Sequence, residues 1–478
     1  MKGNFFLKES STEKIKDILI IGLGKSGLSC IRYLSKQEGY KKKLLRISVY
    51  DKNKSIKDQK DLLKSFDIED FFTCTLKNEF LDRKSHIFLS PGVSSLEIKK
   101  FKPLPHIIND LSLFLEYLAK DDNNLKIIGV TGTNGKTTTC LFLEHLFVKA
   151  GYKTKVAGNV GQSPLDLIGE IKNLDVLILE ISSFQLNPFK ENGFPGKKID
   201  VGIFLNFTED HLDMHESMED YLQSKIALLK SCERQIINNQ VLKKIPNKFK
   251  DIAFKLSNGN HTEIKDLEKF PGENYFVKTL KHNKFTINNN DLELDIDTTK
   301  LSGEHNAMNL TAAIAAFRCL DQNFKAFKNV INSFKGAPHR IEWVKELNNV
   351  EFYNDSKATN VASTVAALEV FKRKNVLLIA GGDRKNLSLT PLKKYLTKNV
   401  SHLFLIGKDS LEIKKLFKNI DKLNIFVCKG LASAVNEAWN NSKSGDIILL
   451  SPSCSSQDIY KNYIERGEHF KKIVHALK

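Results

Sequence analysis

The chain has no apolar run long enough to span a bilayer, no Cys-x-x-Cys pair, no low-complexity linker and no repeat of solenoid period. The first absence excludes a transmembrane helix, and the second argues against a zinc site. Its seven cysteines are odd in number and scattered, which fits reduced thiols rather than a disulfide framework. The opening ten residues hold only a three-residue apolar patch, Phe5-Phe6-Leu7, so we expect no secretory signal and a cytoplasmic protein. Acidic residues are outnumbered, 56 against 73 Lys and Arg, which leaves a formal charge of +17. The lysines are spread along the whole chain without aromatic interleaving, and runs such as Lys41-Lys42-Lys43 read as solvated surface. We therefore expect no nucleic-acid partner and no membrane partner. The basicity helps attract small polyanions such as nucleotides. At 478 residues the chain is too long for one core, and about three domains are expected.

What is present is concentrated between Leu125 and Thr139. A β-branched run leads into Thr131-Gly-Thr-Asn-Gly-Lys-Thr-Thr-Thr139. Gly132 and Gly135 allow the backbone to turn its N–H groups toward an anion. Lys136 reaches the β/γ-phosphates, and the Thr137 hydroxyl is a ligand for Mg²⁺. Val130 stands where the strict phosphate-loop motif has its first glycine. This pattern predicts ATP as cofactor.

Three segments surround that loop. The first reads strand, Gly22-x-Gly24-x-x-Gly27, helix, strand, Asp51, the layout of a dinucleotide-binding unit; a later strand, His86–Ser90, runs into Pro91-Gly92. The second contains the apolar strands Asp175–Glu180 and Val201–Leu205, whose lack of alternation fits buried parallel strands. It then becomes Asn/Lys-rich from Ile236 to Lys300, with peripheral strands, and closes with a helix from Asn306 to Cys319. The third alternates strands and helices after Pro338. The expected class is α/β, with domains at 1–115, 116–336 and 337–478.

The phosphate loop resembles that of the Mur ligase family, ATP-dependent enzymes that assemble the peptide of the bacterial cell wall. Further strings follow in that family's order: Leu179-Glu-Ile-Ser-Ser-Phe-Gln-Leu186, Asn206-Phe-Thr-Glu-Asp-His-Leu-Asp213, Tyr221-Leu-Gln-Ser-Lys225, Gly303-Glu-His-Asn-Ala-Met-Asn309, Pro338-His-Arg340, Asn354-Asp-Ser-Lys-Ala-Thr-Asn360 and Leu449–Asp458. The resemblance implies an N-terminal Rossmann-like uridine-nucleotide domain, a central P-loop domain and a C-terminal Rossmann-like domain. Ser-Ser-Phe-Gln-Leu and Asn-Asp-Ser-Lys-Ala-Thr-Asn are similar to the member that joins D-glutamate to UDP-N-acetylmuramoyl-L-alanine. The Asp-Asn-Pro-Arg string of diaminopimelate- and lysine-adding members is missing, and Asn134 stands where the alanine-adding member has His.

Residue by residue, the resemblance implies ATP contacts from Gly132, Thr133, Asn134, Gly135, Lys136, Thr137, Thr138, Asn306, Asn309, Arg340, Asp355 and Lys357. Asn306 would read adenine, Asp355 the ribose and Arg340 the γ-phosphate. Thr137 and Glu180 would hold one Mg²⁺, and His211 with a carbamylated Lys225 a second. Lys136, His211, Lys225 and Arg340 are the candidate catalytic groups. The uridine substrate would meet Gly24, Lys25, Ser26, Asp51, Ser90, Pro91, Gly92, Asn159 and Ser182. D-Glutamate would meet Thr359, Lys385, Ser456, Gln457 and Tyr463, although Gln457 and Tyr463 replace the family's Leu and Phe. A monomer acting on small molecules is expected. Taken alone, the Gly22/Gly24/Gly27 fingerprint with Asp51 favours an NAD-dependent oxidoreductase. That reading leaves the phosphate loop unexplained, and another amide ligase of the same family is the nearer rival.

Overall fold

The computed structural model describes residues 16–52, 60–68, 70–73, 75–81, 84–101, 105–121, 123–210, 214–246, 249, 252–257, 273–279, 284–289, 292–297, 304–321, 327–334, 336–384 and 388–478. Apolar runs flanked by glycine-containing turns become parallel strands in three sheets. The first holds β1 (Lys16–Ile21), β2 (Leu45–Tyr50), β3 (Phe71–Phe72), β4 (His86–Leu89) and β5 (His106–Ile108), in the order β3-β2-β1-β4-β5. All four pairings are parallel. The order reverses beside β1, so the turn after β1 opens at the switch point where such sheets take ligands.

The second sheet holds β6 (Lys126–Thr131), β7 (Thr154–Gly158), β8 (Val176–Glu180), β9 (Ile199–Phe204), β10 (Cys232–Asn238), β11 (Ile252–Ser257), β12 (Glu273–Thr279), β13 (Lys284–Asn289) and β14 (Leu292–Asp297). Its order is β14-β13-β12-β11-β10-β9-β6-β8-β7. The Asn/Lys-rich stretch thus extends the sheet at one end. β6 lies between β8 and β9, and every residue of β8 is buried, as continuous apolar runs require.

The third sheet holds β15 (Glu342–Leu347), β16 (Val350–Asn354), β17 (Val376–Gly381), β18 (Val400–Ile406), β19 (Asn424–Val427) and β20 (Ile447–Leu450), in the order β15-β16-β20-β17-β18-β19. Only the β15–β16 hairpin is antiparallel here. Chain contacts divide the molecule into two compact units, one with the first two sheets and the helix Glu304–Leu320, the other with the third sheet. Within the first unit one hydrophobic core runs through both sheets, joining Ile18, Val49 and Phe88 to Ile127, Leu179 and Ile199. Lys197 N–H, from the second sheet's side, donates to Leu115 O at 2.9 Å. Among the described residues no helix is long and apolar enough to cross a membrane.

Candidate functional site

At the carboxyl end of β6 the chain turns through Gly132–Gly135 into the helix Lys136–Lys149. Gly135 is the N-cap with φ 84°, and a Cβ there would lie 2.2 Å from Asn309 Oδ1. Only glycine tolerates both the left-handed backbone and that approach. The same contact places Asn309, on the helix Glu304–Leu320, against the phosphate loop, where Asn306 lies one turn earlier.

The loop is held from beneath by the segment after β9. Thr133 N–H donates to Asn206 O at 3.0 Å, and Asn134 N–H to Asn206 Oδ1 at 2.8 Å. Asn206 Nδ2 returns a bond to Asn134 O at 2.9 Å. The Thr133 hydroxyl meets the Tyr221 phenol at 3.2 Å. These bonds brace the loop against the segment after β9 and against Tyr221. Lys136 is half-buried as the first residue of the helix and donates to Gly132 O (2.8 Å) and Thr133 O (3.0 Å). Lys225 Nζ donates to that same Gly132 O at 2.9 Å from the helix Met218–Lys230, and lies over the Tyr221 ring at 4.5 Å. Burial, then the nearby Lys136 charge, lowers the Lys225 pKa well below the usual lysine range.

Glu180 ends β8 and is buried. Its Oε2 accepts from the Thr137 hydroxyl at 2.7 Å and its Oε1 from Asn159 Nδ2 at 2.9 Å. One carboxylate thus joins the phosphate loop to the turn carrying Asn159. Ser182, two residues on, caps the short helix Ser183–Leu186 in a reciprocal pair with Gln185.

The glycine loop after β1 lies in the same unit. A Cβ on Gly27 would come 2.2 Å from Gly22 O, so the strand-to-helix turn closes only with glycine there. Asp51 Oδ2 accepts from Leu23 N–H at 2.7 Å, and the Ser90 hydroxyl donates to Gly22 O at 2.6 Å. No side chain caps the helix Lys25–Ser35 at Gly24, and the N-terminus of such a helix favours an anion. Gly24, Lys25, Ser26, Asp51, Ser90, Pro91 and Gly92 therefore gather at one sheet edge, beside the β1 switch point.

In the other unit, Arg340, Asp355, Lys357, Thr359, Ser456, Gln457 and Tyr463 cluster around the carboxyl ends of β16 and β20. Asp355 is buried, accepting from the Ser451 hydroxyl at 2.7 Å and Ile341 N–H at 3.2 Å. Burial pushes its carboxyl up to about 7, against the pull of these bonds and of Arg340. Lys357 lies over the Tyr463 ring at 5.3 Å. His211 and Lys385 fall outside the described residues.

Several supporting residues carry no sequence signal of their role. Arg466, in the helix Tyr463–Ala476, is 1% exposed and donates to Ser356 Oγ (3.0 Å), Ser356 O (2.9 Å) and Cys454 O (3.3 Å). It ties the Asp355 loop to the Ser456 loop, and burial lowers its guanidinium to about 10. Asn206 belongs to a motif noted above, but its double bond with Asn134 required the fold.

Three family models match in chain order: "Mur ligase MurD-like, N-terminal domain" over residues 16–101, "Mur ligase middle domain" over 130–317 and "Mur ligase, glutamate ligase domain" over 339–454. A UDP-N-acetylmuramoylalanine--D-glutamate ligase of Clostridioides difficile is 34% identical over 97% of this chain and 99% of its own. One from Clostridium tetani is 32% identical over 97% of both. Among solved structures, a UDP-N-acetylmuramate-alanine ligase from Thermotoga maritima covers 97% of this chain and 100% of its own with a TM-score of 0.56 at 16% identity. A pseudomurein peptide ligase from Methanothermus fervidus gives 0.55 at 19% over the same shares, and both likenesses speak to the fold. Three sheets in this order, a glycine-rich phosphate loop braced by Asn206 and a whole-length match to curated relatives together establish that the chain belongs to the Mur ligase family.

Proposed function

We propose that this protein is the ATP-dependent ligase that joins D-glutamate to UDP-N-acetylmuramoyl-L-alanine in peptidoglycan precursor synthesis, working as a cytoplasmic monomer. Family membership supports the ligase chemistry, and the whole-length relatives named for that reaction carry the choice of amino acid. The domains run 1–115, 116–336 and 337–478. The glycine loop takes the uridine diphosphate, and Asn159 and Ser182 meet the muramoyl end. The loop Gly132–Thr138 with Asn306 and Asn309 takes ATP, together with Arg340, Asp355 and Lys357. Thr359, Lys385, Ser456, Gln457 and Tyr463 receive D-glutamate.

The chemistry is activation of a carboxylate. The muramoyl-alanine carboxylate attacks the γ-phosphorus as the bond to the β–γ bridging oxygen breaks and ADP leaves, and the glutamate amine then attacks the acyl carbon, losing a proton and expelling phosphate. Lys136 and Arg340 neutralise charge on the transferring group. Thr137 and Glu180 offer a hydroxyl and a carboxylate 2.7 Å apart, an oxygen donor set that fits Mg²⁺. When bound, Mg²⁺ offsets the repulsion between the two anions. Lys225 is buried with its amine pushed toward the neutral form, the form that adds CO₂, so a carbamate there with His211 would hold a second ion.

ADP release that requires both the muramoyl nucleotide and D-glutamate tests the reaction, and a panel of other amino acids tests the choice. Oxygen-18 in the substrate carboxylate must appear in released phosphate. Its absence there excludes the acyl phosphate. Calorimetric binding of NAD in place of the uridine nucleotide would favour the oxidoreductase reading.

A further inference from the structure

We propose that Asp110 is a positioning residue that holds the two halves of the sugar-nucleotide site in register. This rests on the reading that the glycine loop takes the uridine diphosphate while Asn159 and Ser182 meet the muramoyl end.

Asp110 opens the helix Asp110–Leu118 and is 1% exposed. Its Oδ2 accepts from Ser26 Oγ at 2.9 Å, in the first turn after the glycine loop, and from Ser163 Oγ at 3.4 Å, just beyond the Asn159 turn. Its Oδ1 accepts from Leu111 N–H at 2.9 Å and from Gln185 Nε2 at 3.3 Å. The Oε1 of Gln185 in turn accepts from Ser182 N–H (3.1 Å) and Ser182 Oγ (3.0 Å). The adjoining Asn109 donates to Gln185 O at 2.8 Å. Three segments from two sheets therefore meet on one carboxylate, one assigned to the diphosphate of the ligand and two to its muramoyl end.

The chemistry of the joint is costly for a mere packing contact. Among the described residues no cation lies within ion-pair distance of Asp110, and its bonds come from neutral donors. Burial of the carboxylate raises its pKa. An apolar side chain would fill such a seam at lower cost. What the carboxylate adds is four directed acceptor contacts, which fix loop positions to the fraction of an ångström that in-line attack demands. A second tie crosses the same seam at the surface, the Arg32–Asp166 ion pair at 2.8 Å, and an exposed pair of this kind holds weakly.

The test uses the full-length enzyme and calorimetry with two probes, UDP and UDP-N-acetylmuramoyl-L-alanine, alongside steady-state kinetics. Asp110→Ala is expected to weaken the muramoyl nucleotide by about 10- to 100-fold while UDP affinity and KM for ATP stay within about 3-fold. Asp110→Asn keeps one acceptor, and rotatable hydroxyls can accept from its amide, so it should recover most of the loss and remain about 3- to 10-fold weaker. Arg32→Ala should match wild type for both probes. The idea is overturned if Asp110→Ala binds the muramoyl nucleotide as wild type does, if UDP weakens equally, or if Arg32→Ala loses as much. Should Asp110→Ala not fold, the ratio of the two affinities in Asp110→Asn decides in the same way. Wild-type enzyme that does not bind UDP at all would instead sink the underlying site assignment.

Discussion

Lys136 and Lys225 both donate to Gly132 O, yet their expected behaviour on truncation differs. Lys136 is half-buried, and Lys136→Ala should keep its melting temperature within a few degrees while kcat falls by about 10²–10³-fold, the usual cost of removing one transition-state charge contact. Near-wild-type turnover would remove the loop from the reaction. Lys225 is buried, and Lys225→Ala should inactivate the enzyme, with partial recovery on adding a short carboxylic acid that fills the carbamate position. Full activity without added acid would remove the second ion from the scheme. Asp355 gives a pH signature. Its folded pKa of about 7 exceeds the ordinary 3.8, so between these values the folded state holds a proton that the unfolded state has lost. The contribution of this group to stability is therefore complete at low pH and declines as pH rises through that window, by at most about 1.4 kcal/mol per pH unit. Melting of wild type and Asp355→Asn at pH 5 and pH 8 should show a steeper loss for wild type. Equal slopes would mean the carboxyl is not raised.

At the level of elements, the phosphate loop is a junction between a strand, a helix and a second helix that reaches it from more than 160 positions along the chain. Gly135→Ala should show this junction directly. The new Cβ meets Asn309 Oδ1 at 2.2 Å, and φ 84° is itself unfavourable for alanine by about 1–2 kcal/mol. ATP affinity should drop by about 100-fold or more, because the helix must move and the N–H groups must turn. Adding Asn309→Ala relieves the steric part but not the backbone part, so the double variant should recover some affinity and not all. A single variant with unchanged ATP affinity would contradict the packing described. The β20 loop works by a similar device, with Arg466 binding the carbonyls of two separate turns.

For the whole molecule, a continuous core across the first two sheets predicts that they unfold together. Differential scanning calorimetry should resolve two transitions, one for each compact unit. The uridine nucleotide should raise only the transition of the first unit, since its assigned contacts all lie there. Three transitions would show that the first two sheets are independent, and a nucleotide shift in the other transition would show that the nucleotide's contacts are not confined to the first unit.

The phosphate loop, the glycine fingerprint and the three α/β segments were legible in the sequence because each is a local matter. Glycine spacing reports backbone conformations that other residues cannot adopt, and unbroken apolar runs report strands buried on both faces. The resemblance of those strings to a family then assigned most site residues. Other features arise only when distant segments pack. The Asn309 contact with Gly135 spans 174 positions, Asn206 braces Asn134 across 72, and Arg466 reaches Ser356 across 110. Asn109 caps the helix that Asp110 opens, a local feature. That Asp110 is also buried against Ser26, Ser163 and Gln185 follows from two sheets sharing one core, because desolvation and hydrogen-bond partners are set by packing and leave no periodic trace in the chain.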